Sequence, residues 1–294
     1  MILAGLMLGF SAWKVNSALE QTLHVSQEQL LDVPTGTNPN RMFYRMEKEG
    51  LLDDAFWLRL YWRFNMAGVP LHTGEYRMTP GMTVRDLFEV WRRGDVVQYS
   101  LTLVEGWNFR QVRSALAKHE KIKQTIDGLS DAEVMDKLGH PGVFPEGRFF
   151  PDTYRFVRGM TDVEFLQQAY ARLEEVLAKE WATRPADLPY RDPYQALIMA
   201  SLVEKETGVP QERGEIAGVF VRRMRIGMLL QTDPTVIYGM GERYNGKITR
   251  ADLREPTPYN TYTNAGLPPT PIAMVGREAI HATPYNTYTN AGLP

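Results

Sequence analysis

A carboxylate at the end of an apolar helix is the residue of this sequence whose surroundings most favour proton chemistry. In DPYQALIMASLVEKETG, Asp192 can cap a helix that begins at Pro193, and Gly208 can close it in a left-handed turn, which predicts a helix from about Pro193 to about Thr207. Glu204 falls in its last turn. Leu197, Ala200 and Ser201 share its face, and Ile198, Met199, Leu202 and Val203 cover most of the remaining circumference, the pattern of a helix buried on nearly all sides. Burial raises a carboxyl pKa, and the negative end of the helix dipole disfavours the anion further. Both effects favour a protonated group near neutral pH, the state a general acid needs. The same pattern also fits a core helix whose terminal glutamate is solvated, as most charged residues near helix ends are. Glu206, about 200° further round, is expected to face water beside Lys205.

Three other stretches carry polar groups suited to a sugar. The loop GHPGVFPEGRFFPDTYRF sets Phe144, Phe149, Phe150, Tyr154 and Phe156 beside Glu146 and Asp152. Rings stack on the apolar faces of pyranoses while acids bind hydroxyls, although a Pro-pinned loop whose rings belong to the core has the same composition. Gln231, Thr232 and Asp233 can point into the same cleft as Glu204, while capping of a helix begun at Pro234 also accounts for Asp233. Tyr259, Asn260, Thr261 and Tyr262 offer hydroxyls and an amide without charge.

Composition narrows the alternatives. With 294 residues and 44% hydrophobic content the chain can bury a sizeable core and hold two domains. A net charge of −2 gives no basic surface that argues for nucleic acid. The sequence has no cysteine, and its five histidines are scattered with no pair at helical metal-ligand spacing, so neither a metal nor another cofactor is expected.

The elements that must position Glu204 can be read in order. The run from Met1 to Trp13 is weakly polar and unbroken, but thirteen residues of helix reach only about 20 Å, a marginal span. It is read as a membrane anchor, with a cleaved signal peptide and a buried helix as alternatives; Val15 to Ser26 follows as a helical spacer. A strand at Leu30–Val33, helices after Asn38 and Asp54, a strand from Gly74 to Met78, a helix from Thr83 to Gly94 and an alternating strand around Val97–Leu103 make a small α/β module. Helices are expected at about Phe109–His119, Asp131–Leu138, Thr161–Trp181 and Glu212–Arg225, the last with Ile216, Val219, Phe220 and Met224 inward and Gly227 closing it. The fold class is therefore α+β, with divisions at 1–22, 23–104 and 105–294. The dodecapeptide TPYNTYTNAGLP at Thr257–Pro268 recurs unchanged at Thr283–Pro294, the character of a cloning or assembly artefact rather than of a structural repeat.

VEKET (Val203–Thr207), RRMRIGMLLQTDPTVIYGMG (Arg222–Gly241) and TPYNTYTNAGLPPTPIA resemble the endolytic murein transglycosylase family, the MltG or YceG-like proteins. EGRFFPDTY, TGEYRMTPGMTVRDL and LVEGW extend the resemblance over about residues 1 to 282. It implies a single-pass anchor in the bacterial inner membrane, a LysM-like module, and an extracytoplasmic catalytic domain. That domain would cut nascent peptidoglycan strands between N-acetylmuramic acid and N-acetylglucosamine, leaving 1,6-anhydro ends. Peptidoglycan strands, the membrane and peptidoglycan synthases are the implied partners. The family's catalytic glutamate matches Glu204, and either the substrate's own acetamido group or Gln231, Asp233 or Tyr238 would stabilise oxocarbenium-like charge. The resemblance fails after Ala282, where the family continues with a TPYLYF-like strand and a Gly-x-His-x-Phe segment and this sequence has the copied dodecapeptide. A non-catalytic wall-binding scaffold, and a hydrolase pairing Glu204 with Asp233 or Glu206, are the competing readings.

Overall fold

The computed structural model describes residues 2–283 apart from Ala67 and Pro70. The second dodecapeptide copy, beyond Thr283, lies outside the described residues. The fold is α+β, and the chain forms two compact units: one holds residues up to Ser100 with 121–123 and 155–160, the other 101–120, 124–154 and 161 onward.

In the first unit α1 (Ile2–Glu20) precedes β1 (Gln29–Val33), α2 (Pro39–Lys48), α3 (Ala55–Asn65), β2 (Gly74–Met78) and α4 (Val84–Arg93). The helices begin where local chemistry requires: Asn38 and Asp54 accept backbone N–H groups as N-caps, and Thr83 with Asp86 forms a reciprocal capping box. Gly94 adopts φ 68°, which a residue with a Cβ resists, and so ends α4. β1 and β2 pair antiparallel with Leu31 opposite Tyr76. Their inner faces close on Phe43, Trp62, Phe88 and Trp91, whose rings pack at centroid distances of 5.3–5.9 Å.

The spacer expected after Trp13 is not free. α1 runs on to Glu20, and Ala18, Leu19, Leu23 and Val25 are buried in the core of the first unit, because four apolar side chains in an otherwise polar stretch suffice to dock it. Towards its start α1 exposes Ile2, Leu3, Leu6, Met7, Leu8, Phe10 and Trp13. Among the described residues no helix is long and apolar enough to cross a membrane, so the expected span is not met within them.

β3 (Gln98–Thr102) and β4 (Thr153–Val157) form a second two-stranded sheet. The second unit otherwise contains α5 (Phe109–Lys118), α6 (Asp131–Lys137), α7 (Asp162–Ala182), α8 (Pro193–Glu206), α9 (Arg213–Arg225), α10 (Asp233–Met240) and α11 (Arg277–Ala282). α8 is its centre and packs on α7, α9, α10 and α11. Every residue from Ala196 to Val203 is buried, as the all-round apolar pattern requires.

Two local expectations fail. Thr207, extended, ends α8 in place of a left-handed Gly208, because its hydroxyl accepts the Val209 N–H and donates to Glu212, which closes the turn with side-chain chemistry. On α9, Val219 is exposed, and Ala217, Phe220 and Val221 form the buried face.

Candidate active site

Two segments distant in sequence meet the end of α8. Ser201 Oγ donates to the Ile198 carbonyl at 2.7 Å and accepts the Ile272 N–H at 3.0 Å, which fastens the chain before α11 to the helix. Gly106 N–H donates to the Met274 carbonyl at 2.9 Å, and Met274 N–H to the Trp107 carbonyl at 2.6 Å, so the 104–107 turn is laid beside the same segment.

The Glu204 carboxylate is enclosed by this arrangement, its side chain only 5% exposed. Oε2 accepts the Gly276 N–H at 3.0 Å, and Oε1 accepts from Arg213 Nη2 at 3.1 Å. Arg213, itself buried at the start of α9, also meets Glu278 at 2.9 Å and Glu105 at 3.6 Å. Burial pushes the Glu204 carboxyl above its ordinary value; the Gly276 hydrogen bond and Arg213 oppose that, and the Glu105 charge adds to it. A carboxyl so placed holds a proton more readily than a free one.

A cleft of about 710 Å³ lies alongside. Gly106, Asn108, Phe144, Glu146, Lys205, Tyr238 and Tyr259 are among its lining residues. It is therefore lined by Lys205 and Gly106, the chain neighbours of Glu204 and Glu105, rather than by those two acids. Lys205 Nζ donates to the Gly106 carbonyl at 3.3 Å. The carboxylate that does line the cleft is Glu146. It accepts the Phe109 N–H at 3.0 Å and the Tyr238 hydroxyl at 3.0 Å, and with no cation among these partners burial pushes its carboxyl up to about 7. Tyr238 and Tyr259 pack edge to face at 4.8 Å, an aromatic wall of the kind that stacks on a sugar ring.

A family profile described as YceG-like matches residues 31–283. The chain belongs to the YceG-like family. Relatives agree: the endolytic murein transglycosylase of Bacillus subtilis is 27% identical over 271 residues, covering 86% of this chain and 74% of that protein. Endolytic murein transglycosylases of two Streptococcus pneumoniae strains are 25% identical over 283 residues, and the chain spans about half their length. A crystal structure of a YceG-like protein from Listeria monocytogenes superposes with a TM-score of 0.51 at 26% identity, covering 89% of this chain and 91% of that one.

Of the residues expected around the glycan of this YceG-like chain, Glu146, Tyr238 and Tyr259 line the cleft, whereas Phe150, Asp152, Tyr154, Gln231, Thr232, Asp233, Asn260 and Tyr262 do not. Phe150 is core, packed among residues of α7 and α8. The Tyr154 hydroxyl donates to the Phe150 carbonyl at 2.7 Å, and Asp152 is exposed and accepts the Thr153 N–H. Phe149, Phe150 and Phe156 of this loop are buried in the interior, and of the rings predicted there Phe144 alone reaches the cleft. Asn260 is fully buried and donates to the carbonyls of Asp252, Leu253 and Glu255, fixing a turn.

Residues 231–233 form a separate polar lattice. Gln231 takes a left-handed backbone at φ 50° and donates its N–H to the Thr261 carbonyl, Thr232 hydrogen-bonds Glu206, and Asp233 accepts the Tyr262 hydroxyl at 2.6 Å. Thr232 is the cap of α10, so Asp233 is its first residue rather than its cap. Glu206 is exposed as expected, yet its carboxylate is held by Thr232. The two acids considered as second members of a hydrolytic pair are thus engaged with other partners.

Arg213, Glu105 and Gly276 were missed by sequence reasoning. One signal existed: Arg213 opens a helix, where the dipole disfavours a cation, so a compensating anion was to be sought. Among the described residues there is no cluster of three or more His, Cys, Asp or Glu able to hold a metal ion.

Proposed function

We propose that this YceG-like chain is an endolytic lytic transglycosylase of peptidoglycan, with Glu204 as its acid and base. The observation that carries the reading is the Glu204 carboxyl itself, sealed at the end of α8 between Arg213 and the Gly276 N–H with its proton affinity raised by burial. Protonated Glu204 gives its proton to the oxygen that joins N-acetylmuramic acid to N-acetylglucosamine, and the bond from that oxygen to the anomeric carbon breaks. The muramoyl 6-hydroxyl attacks the anomeric carbon, and its proton passes to the Glu204 carboxylate. No water is consumed, the 1,6-anhydro end is formed, and the acid is regenerated. One carboxyl suffices because the nucleophile belongs to the substrate and reacts at high effective molarity. The names of the relatives support the substrate class.

Purified chain incubated with glycan strands is expected to release anhydro-ended products, one water lighter by mass spectrometry than reducing ends. Glu204→Gln should abolish them, and undiminished release would discard the assignment. A second reading has its own observation: Glu146 lines the cleft directly and its carboxyl is pushed up to about 7, also suitable for a general acid. It predicts that Glu146→Gln rather than Glu204→Gln abolishes cleavage.

The strand–helix–helix–strand order of β1, α2, α3 and β2 supports a LysM-like reading of the first unit. The exposed apolar start of α1 supports membrane attachment; the extracytoplasmic face of the bacterial inner membrane, beside peptidoglycan synthases, is the location we propose for it. Sedimentation with lipid vesicles, lost when Leu3, Leu6 and Phe10 are replaced by Ser, tests the attachment.

A further inference from the structure

Two carboxylates meet one guanidinium nitrogen. Arg213 Nη2 lies 3.1 Å from Glu204 Oε1 and 3.6 Å from Glu105 Oε2, while Nη1 takes Glu278 at 2.9 Å. Glu105 stands so close to Gly276 that a Cβ there would overlap its carboxylate, and Gly276 supplies the other donor to Glu204. The hydrogen bonds between the 104–107 turn and Met274 hold Glu105 in this place.

Three acids therefore share one buried cation, and when all are ionised the negative charge is in excess. Uptake of a proton relieves that excess, and it is favoured where the anion is least solvated. The side chains of Glu105 and Glu278 are 48% and 62% exposed, against 5% for Glu204. Glu204 is thus the least solvated of the three.

We propose that Glu105 is a positioning residue for the reaction, keeping the proton on Glu204 by competing with it for Arg213 and by holding a negative charge beside it. The proposal rests on the reading of Glu204 as the acid. The groups that face Glu204 are Arg213 from α9 and the Gly276 N–H, with Lys205 on its own helix, Glu105 from the 104–107 turn, and Glu278 of α11 through Arg213. Arg213, Lys205 and the Gly276 hydrogen bond favour the anion, and Glu105 opposes them.

The test is the pH profile of glycan cleavage by the full chain, wild type against Glu105→Gln, with folding checked by circular dichroism. A general acid must be protonated, so activity falls as pH rises through its pKa. Removing the Glu105 charge should move that descending limb down by about half a pH unit, since solvent screens the half-exposed group. Above the limb the loss is about threefold. Glu105→Asp, one methylene shorter, should move it the same way by a smaller step, and this variant carries the test should Glu105→Gln not fold. A limb that stays at its wild-type position in the folded variant, with the rate lowered equally at every pH, overturns the proposal. Absence of cleavage by the wild type, or full activity in Glu204→Gln, overturns instead the reading on which it rests.

Discussion

Each unit of this protein buries a glutamate against cations, and the two glutamates are driven in opposite directions. In the first unit Glu75 is 2% exposed, and burial alone would raise its pKa. Tyr99, Arg158 and Lys121 all hydrogen-bond its carboxylate, and together they outweigh burial and hold it below the ordinary range. In the second unit Glu204 is enclosed to a similar degree but shares a single arginine with Glu105 and Glu278, and its carboxyl is raised. Glu146, whose hydrogen-bond partners are neutral, goes up to about 7. The ratio of cations to acids around a buried carboxylate, more than burial itself, separates a fixed anion from a group that can lend a proton. Glu75 has the first character and suits a structural pin; Glu204 and Glu146 have the second.

Substitutions can break that contrast. The largest effect is expected for Glu204→Gln, which should lower the rate of anhydro-end release by roughly 10³-fold with little change in thermal stability, read by product mass spectrometry and calorimetry on the same sample. Glu146 should govern the pH dependence of stability. Its carboxyl is raised in the fold, so its contribution is full below the unfolded value of 4.5 and is lost as pH rises through about 7, a change on the order of 2–3 kcal/mol. Denaturant melts at pH 4.5 and pH 8 should show this fall in the wild type and a flatter response in Glu146→Gln. Glu75 has the opposite sign: lowered in the fold, it contributes stability above 4.5 that disappears as pH drops through its folded value. Glu75→Gln should cost about 2 kcal/mol at neutral pH and leave cleavage per folded molecule intact. An equal loss of cleavage would show that Glu75 is more than a pin. The smallest effect is expected for Tyr154→Phe, about 1 kcal/mol of stability from the lost hydrogen bond to the Phe150 carbonyl, with glycan affinity unaltered because the ring is outside the cleft.

What the sequence made legible was local. Asn38, Asp54, Thr83 and Asp192 all cap the helices expected of them, because a cap is settled by a side chain and the two or three N–H groups that follow it. The buried circumference of α8 followed from helical periodicity, whereas the same pattern left Glu204 at its end either enclosed or solvated. Arg213, nine residues on, and Gly276, seventy-two residues on, did not follow from it, because their contact with Glu204 depends on how α9 and the segment before α11 fold back onto α8. The aromatic loop was ambiguous for another reason: Phe149 and Phe150 satisfy a core and a sugar platform equally well until the available volume is known, and here the core took them. Residues 231–233 were placed on the cleft because polar side chains following a buried helix have two uses, and hydrogen bonds to Thr261, Tyr262 and Glu206 claimed them for the fold.

The central claim is that Glu204 keeps a proton despite Arg213. Carbon-13 NMR titration of glutamate-labelled protein measures it, with the Glu204 carboxyl assigned as the resonance lost in Glu204→Gln. A midpoint above 4.5 for that resonance is the result the arrangement around Arg213 predicts; a midpoint at or below 4.5 would make Glu204 a fixed anion like Glu75 and contradict its role as the acid.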